Sequence, residues 1–162
     1  KNLQNGQSPY AVILACSDSR VPPELVFDES LGKLFIIRLA GNVATPEAIG
    51  SIEYAVEHLG SQLVVVLGHS KCGAISAAVN GGEVTPNIEK LLHYIAPAVK
   101  EAKSIGEVPD LVKVCVDMNV KLQIKNLFAH SQLLEEKAAS GSLKIVGGVY
   151  ELSTGQVKIS GH

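Results

Sequence analysis

Two cysteines and a histidine in this chain are placed so that they could share a metal ion. Cys16 opens the segment Cys16-Ser17-Asp18-Ser19-Arg20, and His69 and Cys72 stand two residues apart in Gly68-His69-Ser70-Lys71-Cys72-Gly73. Two thiolates and an imidazole suit Zn(II), which proteins hold tetrahedrally, and catalytic zinc sites keep the fourth position for water or substrate. A Cys2His set is therefore open by count. The His69–Cys72 pair alone is weak evidence, because a buried cysteine or histidine is more often a packing group than a ligand. What strengthens it is that both motifs follow directly on apolar, strand-like runs. Asp18 and Arg20 add a carboxylate and a guanidinium able to pair bidentately; away from Cys16 such a pair would be an ordinary turn salt bridge.

The elements that must position these residues can be read from apolar periodicity. Ala11 to Ala15, Leu34 to Ile37 and Leu63 to Leu67 are short continuous apolar runs, the pattern of parallel strands buried on both faces. Between the second and third, Thr45 reads as an N-cap with Pro46 at the first helical position. Ala48, Ile49, Ile52, Ala55, Val56 and Leu59 follow at helical spacing, and Gly60 ends the helix. Ala74 to Val79 predicts a short helix, and Ile88 to Lys103 a longer one kinked near Pro97. Leu111 to Lys137 has helical periodicity and divides more naturally into two helices than one. Leu143 to Leu152 and Val157 to Ile159 read as strands paired antiparallel through Ser153-Thr154-Gly155-Gln156. The alternation predicts an α/β fold with a mainly parallel open sheet, helices on its faces and an antiparallel C-terminal edge strand. In such sheets ligands gather beyond the carboxyl ends of the strands, where the strand order reverses. If the first and third strands are neighbours, Cys16, Asp18, Arg20, His69 and Cys72 meet there.

Composition narrows the function. A chain of 162 residues, 46% hydrophobic, with three cysteines is long enough for one substantial core and too poor in cysteine for a disulfide framework. One domain spanning 1–162 is expected. A net charge of -2 with no Lys/Arg cluster argues against nucleic acid as partner, and no apolar run has the roughly 20 residues that cross a bilayer. The chain starts at Lys1, so a preceding segment trimmed away is the expectation. Cytoplasmic placement is the default, with periplasmic or organellar placement the alternative if a signal preceded Lys1.

The run Ala15-Cys16-Ser17-Asp18-Ser19-Arg20-Val21-Pro22, with His69-Ser70-Lys71-Cys72-Gly73 after it, resembles the two signatures of the β-class carbonic anhydrases. The likeness continues through Phe35 to Asn42, Ile52 to Tyr54 and Lys144 to Tyr150, covering almost the whole chain. It implies reversible hydration of carbon dioxide to bicarbonate by zinc-bound hydroxide, with one zinc per chain on Cys16, His69 and Cys72. By the same resemblance Asp18 either accepts a hydrogen bond from that hydroxide or, in a closed inactive state, binds the metal itself. Arg20 is placed to hold the carboxylate off the metal. The plant-type branch of the family lines its substrate pocket with a glutamine, a phenylalanine and a tyrosine, and Gln7, Phe35 and Tyr54 match; Gly73 beside Cys72 joins them. Another branch closes its site by binding bicarbonate beside a tryptophan, whereas this chain has no Trp and carries Ile13 in that neighbourhood. The resemblance further implies a homodimer or higher homo-oligomer, with the pocket shared across a subunit interface, and helices ahead of the first strand that embrace the partner.

Two rival readings keep the zinc site. Carbon disulfide or carbonyl sulfide hydrolases resembling this family use the same ligands on other linear molecules. A structural zinc protein would take Asp18 as a permanent fourth ligand, a closed Cys2HisAsp site. A cysteine phosphatase fails because only three residues separate Cys16 from Arg20, and a Walker loop fails for want of Gly-x4-Gly-Lys. Cys115 lies in a helical apolar pattern and reads as core; His58, His93, His130 and His162 read as surface or packing residues.

Overall fold

The computed structural model describes residues 2–160; His162 lies outside them. Five strands form one sheet in the order β2-β1-β3-β4-β5, comprising β1 (Ala11–Ala15), β2 (Leu34–Arg38), β3 (Leu63–His69), β4 (Lys144–Glu151) and β5 (Gln156–Ser160). The first four are parallel and β5 runs antiparallel to β4, as the turn residues before it predict. β3 extends two residues beyond its apolar run, so that His69 is its last residue.

The chain moves from β1 sideways to β2, then back across β1 to β3 and onward to β4. Right-handed crossovers place connections of opposite travel on opposite faces of a sheet. The helices accordingly divide unequally. Val12, Leu14, Val64, Val66 and Ile145 face a cluster that includes Ile49 and Ile52 of α2 (Pro46–His58), Ile124 and Leu127 of α6 (Leu111–His130) and Leu134 of α7 (Gln132–Ala139). The opposite face, with Ile13, Val65, Leu67 and Val146, is covered more thinly. Among the described residues, only Val26 of the one-turn α1 (Pro23–Val26) and its neighbour Phe27 join that cluster from outside the strands.

Local chemistry accounts for the element ends. The Thr45 hydroxyl accepts from Ala48 N at 3.3 Å, Pro46 opens α2, and Gly60 turns away from it at φ 73°. α3 runs Gly73–Asn80. The expected kinked helix is instead two, α4 (Pro86–His93) and α5 (Ala96–Ser104), with Tyr94 and Ile95 between them. Pro97 falls in the first turn of α5, where a missing N–H breaks no helical bond, so a fresh start costs less than a kink. Ser131, extended at φ -142°, ends α6 and caps α7 by accepting from Leu134 N at 3.2 Å. α6 lies close on the sheet because β3 and β4 carry glycines beneath it. A Cβ on Gly68 would come within 2.8 Å of Val120 Cγ2, and one on Gly147 within 2.6 Å of Val120 Cγ1.

Candidate metal centre

β1 and β3 are neighbours, and the strand order reverses between them at the carboxyl end of the sheet. Cys16 follows β1 directly, His69 ends β3, and Cys72 immediately precedes α3. Lys71, between the two ligands of the second motif, takes the left-handed conformation at φ 55°, a sharp reversal that turns Cys72 back toward His69. The donor atoms of Cys16, His69 and Cys72 lie within 4.8 Å of one another, and all three residues are buried. Asp18 and Arg20 join them, so the five residues singled out in the sequence meet at one place.

The donor set fits a zinc ion on three observations. The two sulfurs are 4.0 Å apart, close to the ~3.8 Å that two 2.3 Å Zn–S bonds subtend at a tetrahedral angle. His69 Nδ1 lies 2.9 Å from the carbonyl oxygen of Ser70, which fixes the proton on Nδ1 and leaves the Nε2 lone pair bare. That Nε2 is buried and has no hydrogen-bond partner among the described residues. The thiols make the same point electrostatically. The hydrogen bond with Cys72 pushes the Cys16 thiol well below its ordinary value, despite burial. The Cys72 thiol is pushed up, by that same bond, by burial and by the charge on Cys16. One thiol can ionise alone; a cation between them lets both do so.

Asp18 is held away from the three donors. Arg20 Nε donates to Asp18 Oδ1 at 2.9 Å and Nη2 to Oδ2 at 2.7 Å, while the backbone N–H of Arg20 also donates to Oδ1 at 3.0 Å. These bonds hold the carboxyl well below the usual carboxylate range. Oδ2 remains 3.8 Å from His69 Nε2, beside the point on which the donors converge. Arg20 Nη2 also reaches the Lys71 carbonyl at 3.3 Å, tying the two motifs together.

Several supporting groups escaped the sequence reading. Arg38, last residue of β2, donates from Nε to the Cys16 carbonyl at 2.9 Å and from Nη2 to the Asp18 carbonyl at 2.5 Å, pinning the loop that carries both. A charged residue closing an otherwise apolar strand run was the available signal. Ser70 Oγ donates to Glu151 Oε1 at 2.9 Å and accepts from Leu152 N at 3.0 Å, fastening the His69–Cys72 turn to the end of β4. Gly41 N donates to Cys16 Sγ at 3.3 Å. No spacing in the sequence announces these last contacts, which join residues far apart in the chain.

Of the expected pocket residues, Phe35 and Tyr54 lie away from the metal ligands of their own chain and Gly73 lies beside them. Phe35 is in register with Val12, four residues ahead of Cys16 and so roughly 13 Å down the sheet at about 3.3 Å per residue. Tyr54, 49% exposed on α2, has its ring 6.2 Å from that of Phe35. Gln7 is exposed ahead of β1, and Gly73, also exposed, is the first residue of α3 beside Cys72. Cys115 is fully buried in the core, as its pattern predicts, and His58, His93 and His130 are exposed.

A protein-family model described as carbonic anhydrase matches residues 11–157. Carbonic anhydrase 2 of Mycobacterium tuberculosis is 39% identical over 164 residues, covering 99% of this chain and 78% of its own. The solved structure of the β-carbonic anhydrase CcaA superposes with a TM-score of 0.87 at 31% identity, over 98% of this chain and 76% of its own. A tetrameric β-carbonic anhydrase from the filamentous ascomycete Sordaria macrospora gives 0.89 at 27% identity, over 99% and 85%. With the family match running from β1 into the start of β5 and across both Cys/His motifs, the chain belongs to the β-class carbonic anhydrases.

Proposed function

We propose that the chain performs the reversible hydration of carbon dioxide to bicarbonate with one zinc ion held by Cys16, His69 and Cys72. The observation that carries this reading is the convergence of three buried donors while Arg20 engages both oxygens of the nearby carboxylate. A closed four-ligand site would need Asp18 to give up those bonds. Bound there, zinc lowers the pKa of a water from 15.7 to about 7 and so supplies a nucleophile at neutral pH.

The protein's own groups do the rest. The Asp18 carboxylate, ionised and acceptor-only, would accept a hydrogen bond from a water held on the open side of the three donors and so orient it. Arg20 keeps that carboxylate in place. Carbon dioxide is small and apolar, so a pocket walled by Phe35 and Tyr54, with an amide donor from Gln7 and the Gly73 backbone beside Cys72, suits it. Because Phe35 and Tyr54 lie far down the sheet from Cys16 of the same chain, the pocket is read as shared between subunits of a homodimer or larger assembly. The tetrameric Sordaria relative supports that reading. The chain is proposed to form one domain, and no helix among the described residues is long and apolar enough to cross a membrane.

Metal analysis together with exchange of labelled oxygen between carbon dioxide and water tests the reading. About one zinc per chain with rapid exchange is expected. Zinc without exchange at any pH would favour the closed Cys2HisAsp protein instead.

A further inference from the structure

The loop that supplies Gly41 to the metal centre is held by a chain of buried amides. Gly41 is the third residue of a tight turn, closed by Asn42 N donating to the Leu39 carbonyl at 2.8 Å, and has φ 75°. A Cβ at this position would meet Ile95 Cδ1 at 2.6 Å and Ala74 Cβ at 3.3 Å, so the backbone is pressed against both α3 and the start of α5. Its N–H points at Cys16 Sγ. Its carbonyl accepts from Asn119 Nδ2 of α6 at 2.8 Å. Behind Asn119 stands Gln123, one helical turn on, whose Nε2 donates to Asn119 Oδ1 at 2.9 Å and to the Tyr94 carbonyl at 3.1 Å. Gln123 Oε1 accepts from Ala44 N at 3.0 Å, at the far end of the same loop, and from Asn126 Nδ2 at 3.3 Å. Asn119 and Gln123 are 1% and 0% exposed. Uncharged amides are costly to bury unless every group is paired, and here the pairing runs in one direction toward the Cys16 sulfur.

We propose that Asn119, braced by Gln123, is a positioning residue for the metal centre: it orients the Gly41 peptide so that its N–H donates to Cys16 Sγ and draws electron density from that sulfur. The inference rests on the reading of Cys16, His69 and Cys72 as metal ligands. A hydrogen bond to a metal thiolate stabilises its lone pairs and makes it a weaker donor to the metal. Neutral amides can do this at a fixed strength, with no charge of their own to be screened or titrated. The long helix α6 thus reaches the centre without contributing a ligand.

Cobalt(II) reports on the sulfur directly, through its thiolate-to-metal charge-transfer absorption. The metal-free chain would be titrated with Co(II), and zinc affinity measured against a chelator, for the parent and three variants. Asn119→Leu is expected to move the charge-transfer band to longer wavelength, because the sulfur loses the donor that stabilised its lone pairs. It is also expected to weaken zinc binding by about tenfold, the lower end of what partners behind a metal ligand control, because the loosened Gly41 loop costs more in the placement of Cys16 than the sulfur's stronger donation returns. Gln123→Met, which keeps Asn119 but removes its brace, moves the band the same way by less. Val120→Ala loosens the same helix over Gly68 and Gly147 by packing alone and leaves the band in place. An unmoved band in the folded amide variants, or an equal shift in Val120→Ala, overturns the inference; should Asn119→Leu fail to fold, Gln123→Met decides alone. A parent chain that shows no charge-transfer band overturns the ligand reading and this inference with it.

Discussion

Asp18 has two oxygens and three donors from Arg20 already on them, so its freedom to approach a metal is set by one guanidinium. Arg20→Leu removes that restraint without touching a ligand. Zinc content is expected to stay near one per chain while kcat/KM falls by about 100-fold, the lower range for a positioned proton-handling group. The loss is expected to deepen toward low pH, where water competes least well with the freed carboxylate. Asp18→Asn should also keep zinc and lose turnover, since an amide can present a donor where the carboxylate only accepts. Metal analysis beside stopped-flow hydration separates these outcomes; a variant that sheds its zinc would make Arg20 a structural residue. The lowered pKa of Asp18 has its own signature in the metal-free protein. A carboxyl whose folded pKa lies below its unfolded value, about 3.9, stabilises the fold above that value and loses the contribution as pH falls toward the folded one. The stability gap between parent and Asp18→Asn, read by urea unfolding, should be steady from roughly pH 5 to 8 and shrink below about pH 4. It should also be modest, because Arg20 is half exposed and screened. Cys72→Ser should lower zinc content sharply, and Cys115→Ser, a core thiol remote in role, should not.

At the scale of elements, the parts that were legible in the sequence are those whose chemistry is local. Ala11 to Ala15 read as a strand because nothing polar interrupts it, and α2 was legible from Thr45 and Pro46 to Gly60 because caps and breakers are written within a few residues of the ends they make. Thr45→Ala should accordingly cost about 1 kcal/mol in urea unfolding. The five chemical residues were legible for the same reason: two short motifs, each at a strand end. What was not legible depends on contact across the fold. Whether Pro97 kinks one helix or starts another turns on how Tyr94 and Ile95 pack, and the short α1 has too few residues to show a period. The closeness of α6 to the sheet was hidden in two glycines. Gly147→Ala should destabilise by about 1–3 kcal/mol through overpacking. Adding Val120→Ala should return part of that loss, a coupling that a double-mutant cycle measures; strict additivity would mean that Gly147 is required for some other reason.

For the whole molecule, the proposed shared pocket, with Phe35 and Tyr54 separated from the metal ligands of their own chain, would make assembly part of the active site. Mixed oligomers test this without relying on any one variant's stability. Cys72→Ser should be inactive for lack of metal, and Phe35→Ala/Tyr54→Ala should be weak for lack of its pocket wall. Unfolded together and reassembled, they should recover a substantial fraction of parent activity, because a mixed dimer contains one complete site. No recovery, or a fully active monomer in dilute ultracentrifugation, would return the pocket to a single subunit.

The unequal covering of the sheet bears on how the protein comes apart. The stretch from Cys16 to Phe27 is both the metal-binding loop and the carrier of Val26 and Phe27, which close the thin face of the sheet. A metal held there would act as a clasp on one leaf of a book whose other leaf, bound by α2, α6 and α7, needs none. Chelation should let that leaf lift by itself: amide protons of β1 and β2 would exchange with solvent faster, while those of α6 and its glycine-floored seat on β4 keep their protection. Zinc loss would then announce itself as a one-sided opening well before the chain unfolds, beginning at the edge strand β2.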